Sequence, residues 1–280
     1  MPAYDPPVDR LFTLDPPPGP AAAWPDYLAL GLGREHVPAL VRMATDPALS
    51  RSTDERELWA PLHAWRALGQ LGDPAAAAPL LDFLAALDED EDYAREELPT
   101  VLGLLGPTVL PSLAAFLGRR DVGPFDRGVA AEAVARLAER HPDARAACVA
   151  VLAGALAHHA VQDPDFNGLL VAALLDMKAV EAADGIERAY AAGDVEIAMN
   201  GDWEEVQIAL GLLDARRTPR PDYRLVGGRS RAEVQADLRR SREWSRQAER
   251  GPTRDAERRR SAKAKRKQAA QSRRRNRRRK

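Results

Sequence analysis

The feature that most constrains this chain is a turn written into it several times over. Leu32-Gly33-Arg34-Glu35-His36-Val37-Pro38-Ala39-Leu40 and Leu105-Gly106-Pro107-Thr108-Val109-Leu110-Pro111-Ser112-Leu113 share the pattern L-G-x4-P-x-L, and Leu71-Gly72-Asp73-Pro74 through Pro79-Leu80 is a variant with a longer turn. Taking the last apolar residue before each turn as an anchor gives Leu32, Leu71, Leu105, Leu137 and Met177, at intervals of 39, 34, 32 and 40 residues. Such intervals suit stacked two-helix units, none of which buries enough apolar surface to fold alone.

Each part of the turn has a physical role. Glycine after the anchor is expected to take the left-handed conformation that ends a helix, at Gly33, Gly72 and Gly106. Pro38, Pro79 and Pro111 then fall where a second helix starts, a position whose N–H has no intrahelical partner. Within the clearest unit Trp59, Leu62, Trp65, Leu68 and Leu71 recur every third residue and predict one apolar stripe, faced by Leu80, Leu84 and Leu87. Further hairpins are expected over Arg127–Leu156 and Asn167–Ala192, and a capping helix over Trp203–Leu213.

Composition agrees with helix. Of 280 residues 45% are hydrophobic and only 5% aromatic, a balance that builds close-packed Ala/Leu helices better than sheets. The expected fold class is all-α, an α-solenoid of about five helical hairpins. Residues 1–23 read as a proline-rich extended leader without the features of a signal peptide, 24–214 as the solenoid, and 215–280 as a linker and basic tail, disordered or a single helix. No window approaches the roughly 20 apolar residues that cross a bilayer, and Cys148, the single cysteine, cannot close an intrachain disulfide, so a cytoplasmic location is the default expectation.

The formal net charge of -1 conceals a division. Gly227–Lys280 holds 22 of the 41 Lys and Arg but 6 of the 42 Asp and Glu, which leaves +16 there and -17 in residues 1–226. Arg258, Arg259, Arg260, Lys263, Lys265, Arg266, Lys267, Arg273, Arg274, Arg275, Arg277, Arg278, Arg279 and Lys280 repel one another in any compact arrangement and offer guanidinium forks to phosphate. RNA or DNA backbone is therefore an expected, sequence-indifferent partner. The bland alternatives are a solubilising tail, or one that folds onto its own acidic body.

The units resemble the HEAT-like repeats of the short type named after phycobilisome lyases, through Ala67-Leu68-Gly69-Gln70-Leu71-Gly72-Asp73-Pro74. The whole chain also resembles an uncharacterised group of bacterial HEAT-repeat proteins, on Trp59-Ala60-Pro61-Leu62-His63-Ala64-Trp65-Arg66 and Gly201-Asp202-Trp203-Glu204-Glu205-Val206-Gln207. The resemblance implies a curved stack of helix pairs used for binding, and carries over no catalytic residue.

Motifs for nucleotide binding or hydrolysis are missing from the sequence, so a non-enzymatic scaffold for a protein partner is the leading expectation, with no cofactor and no metal. His158 and His159 near Asp163 and Asp165 lack a third ligand at suitable spacing. Trp59, His63, Trp65 and Trp203 are the candidates for a partner groove, although the helical spacing of Trp59 and Trp65 favours the core and Glu204-Glu205 reads as a solvated face. The competing expectation is a lyase-like or DNA-glycosylase-like enzyme or cofactor handler with a Trp-lined groove.

Overall fold

The computed structural model describes residues 4–17, 23–87 and 92–220, and the twelve α-helices among them account for the body. They are α1 (Val37–Ala44), α2 (Pro47–Ser50), α3 (Glu55–Leu71), α4 (Ala77–Ala85), α5 (Asp92–Leu104), α6 (Leu110–Leu117), α7 (Pro124–Arg140), α8 (Arg145–Leu156), α9 (Pro164–Asp176), α10 (Ala183–Ala192), α11 (Ile197–Asn200) and α12 (Trp203–Leu210). No strand occurs among the described residues, so the fold is all-α. The acidic residues 88–91, and all of the lysine and arginine positions named in the tail, lie outside the described residues.

Helices α3, α5, α7 and α9 lie side by side in one layer, and α1, α4, α6, α8 and α10 form the second, with α12 closing the row against α9 and α10. The short turns pair α3 with α4, α5 with α6, α7 with α8 and α9 with α10. Second-layer helices also seat on the following unit, α6 on α7 and α8 on α9, which is how neighbouring units share one interior. Leu62, Trp65, Leu68, Leu80, Leu84, Leu102, Leu113, Leu137, Leu152, Leu170 and Ile186 are buried in that single continuous core.

The turn chemistry follows the sequence at one site and departs from it at another. Gly72 ends α3 at φ +61, its N–H donating to Leu68 O, and Asp73 then accepts from Ala75 N at 3.0 Å to start the next turn. Gly33, however, is extended at φ -136, and the left-handed residue is Gly31 at φ +89. The first unit has no long helix to terminate: a single 3-10 turn, Leu28–Leu30, precedes Leu32, so the end signal sits two residues earlier.

Two further expectations are corrected. The central ten residues of α3, Ala60–Gly69, are buried on all sides rather than along one stripe, while Trp59 and Leu71 are only partly covered. A helix flanked by α1, α5 and the N-terminal segment has no solvated face left. That segment is the second correction: beyond extended chain, it forms a 3-10 turn at Val8–Thr13 that packs on α3 and buries Tyr4, Val8, Leu11 and Phe12.

Close approach along the first layer, and from its last helix to α11, is set by small residues. Gly69 faces Val101 and Leu104, Gly103 faces Arg136 and Leu137, Gly128 faces Leu169, and Gly168 faces Glu196 O and Met199. Each helix thus offers the next one a glycine, where a methyl group would meet its neighbour.

Candidate functional site

The four groove candidates do not form one site. Trp65 is buried, and its indole N–H donates to Ala44 O at 2.8 Å. Trp59 packs edge-on against Tyr93, with ring centres 5.3 Å apart, and the two tryptophans line a notch of only about 80 Å3 with Leu58, Pro61 and Leu62. His63 is turned to other partners, Tyr27 and Asp15, and Trp203 lies on α12 against Tyr190. Trp59 and Trp65 share only that notch, His63 is engaged by Tyr27 and Asp15, and Trp203 lies on another helix, so the four do not line one groove.

His63 belongs instead to a sealed polar network. Its Nε2 lies 3.2 Å from Asp15 O, a group that only accepts, so Nε2 carries the proton and Nδ1 accepts from the Tyr27 hydroxyl at 2.8 Å. Burial pushes the His63 pKa down to about 4 and the Tyr27 phenol up to about 12. Next to them Arg66, fully buried, pairs with buried Glu97 of α5, its Nε at 3.1 Å from Oε2, and stacks on Trp24. Gln70 completes the set by accepting from Tyr27 N at 2.9 Å and donating to Pro25 O at 2.7 Å. These groups fasten the N-terminal segment to α3, and α3 to α5, and they leave no exposed reactive atom.

The same device recurs along the row. Arg127 of α7 donates to Leu117 O, reaches Gln162 at 2.9 Å and lies 3.6 Å above the Phe166 ring of α9. Asn167 donates to His159 O and Asp194 O, at 3.0 and 2.7 Å. His159 Nδ1 is 2.6 Å from Asp194, and Asp163 caps α9 through Asp165 N. The His158/His159 region is therefore spent on holding turns together, and no cluster suited to a metal exists among the described residues.

Two surface features remain. An open groove of about 460 Å3 runs between α7, the start of α8 and the end of α9, lined by Ala135, Arg136, Ala138, Glu139, Arg145, Asp176 and Met177. Arg145 is fixed in its wall by Glu181 at 2.6 Å and by Met177 O at 2.9 Å.

The second feature is an acidic clamp at the start of α12. Asp202 and Glu205 cap the helix reciprocally, each accepting from the other's backbone N–H. The same carboxylates, with Glu204, bind the segment that leads into the basic tail. Arg216 grips Asp202 with both guanidinium arms, at 2.8 and 2.6 Å, and Arg220 Nε meets Glu205 at 2.7 Å. Glu204 Oε2 accepts from Arg217 N at 3.2 Å, Thr218 N at 3.1 Å and Thr218 Oγ1 at 2.9 Å. Hydrogen bonds from the Thr218 backbone hold the Glu204 carboxyl below its ordinary range, and Arg216 does the same for Asp202.

Glu204-Glu205 is thus no plain solvated face, and residues expected in a free linker from 215 onward are fastened to the body as far as Arg220. The capping signature D-x-x-E at Asp202–Glu205 was visible in sequence, but nothing local announced the arginines 14 and 15 residues on.

Comparisons with family models, with curated proteins and with solved structures return no match. No single helix among the described residues is long and apolar enough to cross a membrane.

Proposed function

We propose that this chain is a non-enzymatic interaction protein of the HEAT-like kind, whose acidic helical body binds a protein partner while the arginine-rich end contacts RNA, DNA or another polyanion. The observation that carries the reading is the charge division, -17 before Gly227 and +16 from there on. A segment that neutralises phosphates gains from counterion release whatever the base sequence. The clamp on α12 supports the other half, because it is an example within this chain of body carboxylates binding arginine side chains in two-armed geometry.

Buried polar residues support the absence of catalysis in this reading: His63, Arg66, Glu97, Arg127 and Asn167 are consumed by contacts between units. The test is affinity capture from cell lysate with the full chain, with and without nuclease. Nucleic acid should co-purify through the tail, and a protein partner should survive nuclease treatment through the body. Recovery of neither would remove the proposal.

A further inference from the structure

We propose that Thr218 is a phosphorylation site and that a phosphate on its Oγ1 opens the α12 clamp. The inference concerns the hold on Arg216–Arg220 and stands whether or not the tail binds a polyanion.

Thr218 is exposed, stands between Arg217 and Pro219, and has Arg216 two positions before it and Arg220 two after. A kinase that selects basic or proline-flanked threonines therefore finds both a reachable hydroxyl and recognition groups on either side. In the transfer, Thr218 Oγ1 attacks the γ-phosphorus of a nucleoside triphosphate held by the kinase. One O–P bond forms, the bridging P–O bond breaks with its electron pair leaving on the nucleoside diphosphate, and the hydroxyl proton passes to the kinase's base.

The product no longer fits its seat. The hydroxyl now donates to Glu204 Oε2 from 2.9 Å, and that oxygen also takes the N–H groups of Arg217 and Thr218. A phosphate has no such proton to give at neutral pH and adds about -1.5 to -2 charges within contact distance of a carboxylate. Glu204 is already held ionised by these donors and by Arg216 at 3.7 Å, so protonation offers no relief. Arg216, meanwhile, gains an intrasegment partner: a phosphate two residues away competes for the fork that now grips Asp202. Repulsion from Glu204 and competition for Arg216 act in the same direction, towards release.

The test uses the full chain carrying phosphothreonine at 218, made enzymatically with an arginine-directed kinase and ATP, and by co-translational incorporation. Amide hydrogen exchange at Arg217 and Thr218 is read against the unmodified chain. Phosphorylation should speed both amides by about tenfold or more, the loss of a few charge-assisted bonds. Thr218→Val, which removes the hydroxyl without adding charge, should leave them within about threefold. In a Glu204→Gln background the phosphate should have much less effect. Failure of the kinase to modify Thr218 in the folded chain would overturn the assignment as a site, and unchanged amide protection in the phosphorylated chain would overturn the switch.

Discussion

Arg66 and Glu97, 31 positions apart on α3 and α5, form an ion pair from which solvent is excluded on both sides. Removing charges from water is costly, so a pair like this adds little net stability, but removing one partner strands the other. Glu97→Leu alone should therefore cost about 3–5 kcal/mol, whereas Arg66→Met with Glu97→Leu should return to within about 2 kcal/mol of the parent. Urea unfolding of the three proteins decides it, and a cost below about 1 kcal/mol for the single change would place the pair in solvent.

The glycine contacts make a paired prediction. A methyl group at Gly103 would lie 2.7 Å from Arg136 Cβ and 3.2 Å from helix backbone, so Gly103→Ala should destabilise by about 1–3 kcal/mol through overpacking. Gly154 sits within α8 with open space around it, and Gly154→Ala should stabilise by about 0.5–1 kcal/mol. Thermal melts of the two variants should move in opposite directions.

Acid should loosen the N-terminal segment. The folded pKa of His63, about 4, is below the unfolded value of 6.5, so between those limits the unfolded chain binds a proton that the folded chain refuses. Stability is complete above about pH 6.5, is lost as pH falls towards 4 and levels off below it for this group, by up to about 3 kcal/mol. Carboxylates held low, such as Asp202, add their loss only at more acid pH. Urea midpoints at pH 7.5 and 5 should differ for the parent and converge for His63→Gln; an equal difference in both would assign the effect elsewhere.

The core is the most legible part of the sequence. Leu68 is fully buried, as its three-residue spacing from Trp65 and Leu71 predicts, and Leu68→Ala should cost about 2–5 kcal/mol, against less than about 0.5 for the half-exposed Leu212→Ala.

Legibility fails where a residue's partner lies in another unit. Arg66 stands between Trp65 and Ala67, and Arg127 between Asp126 and Gly128, and no neighbour in sequence names their partners, because Glu97 and Phe166 lie more than thirty residues on. Val8, Leu11 and Phe12 were hidden by surrounding prolines, which speak against long helices but allow a 3-10 turn with an apolar face. Composition could divide the charge along the chain, but it could not show that Arg216 and Arg220 return to Asp202 and Glu205, since that contact depends on where α12 begins. The helical spacing of Trp59 and Trp65 already favoured the core over a groove, and packing adds what spacing could not, that the Trp65 indole is tied to Ala44 O.

The most direct measurement is anisotropy of a short labelled single-stranded RNA titrated with the full chain, with a chain ending after Arg220, and with one whose arginines from Arg273 to Arg279 are glutamine, at several salt concentrations. The full chain should bind with log K falling linearly in log salt, by about 0.7 per phosphate neutralised. The glutamine chain should show a shallower slope and the shortened chain no salt-dependent binding. Equal affinity and slope for the full and shortened chains would contradict the account.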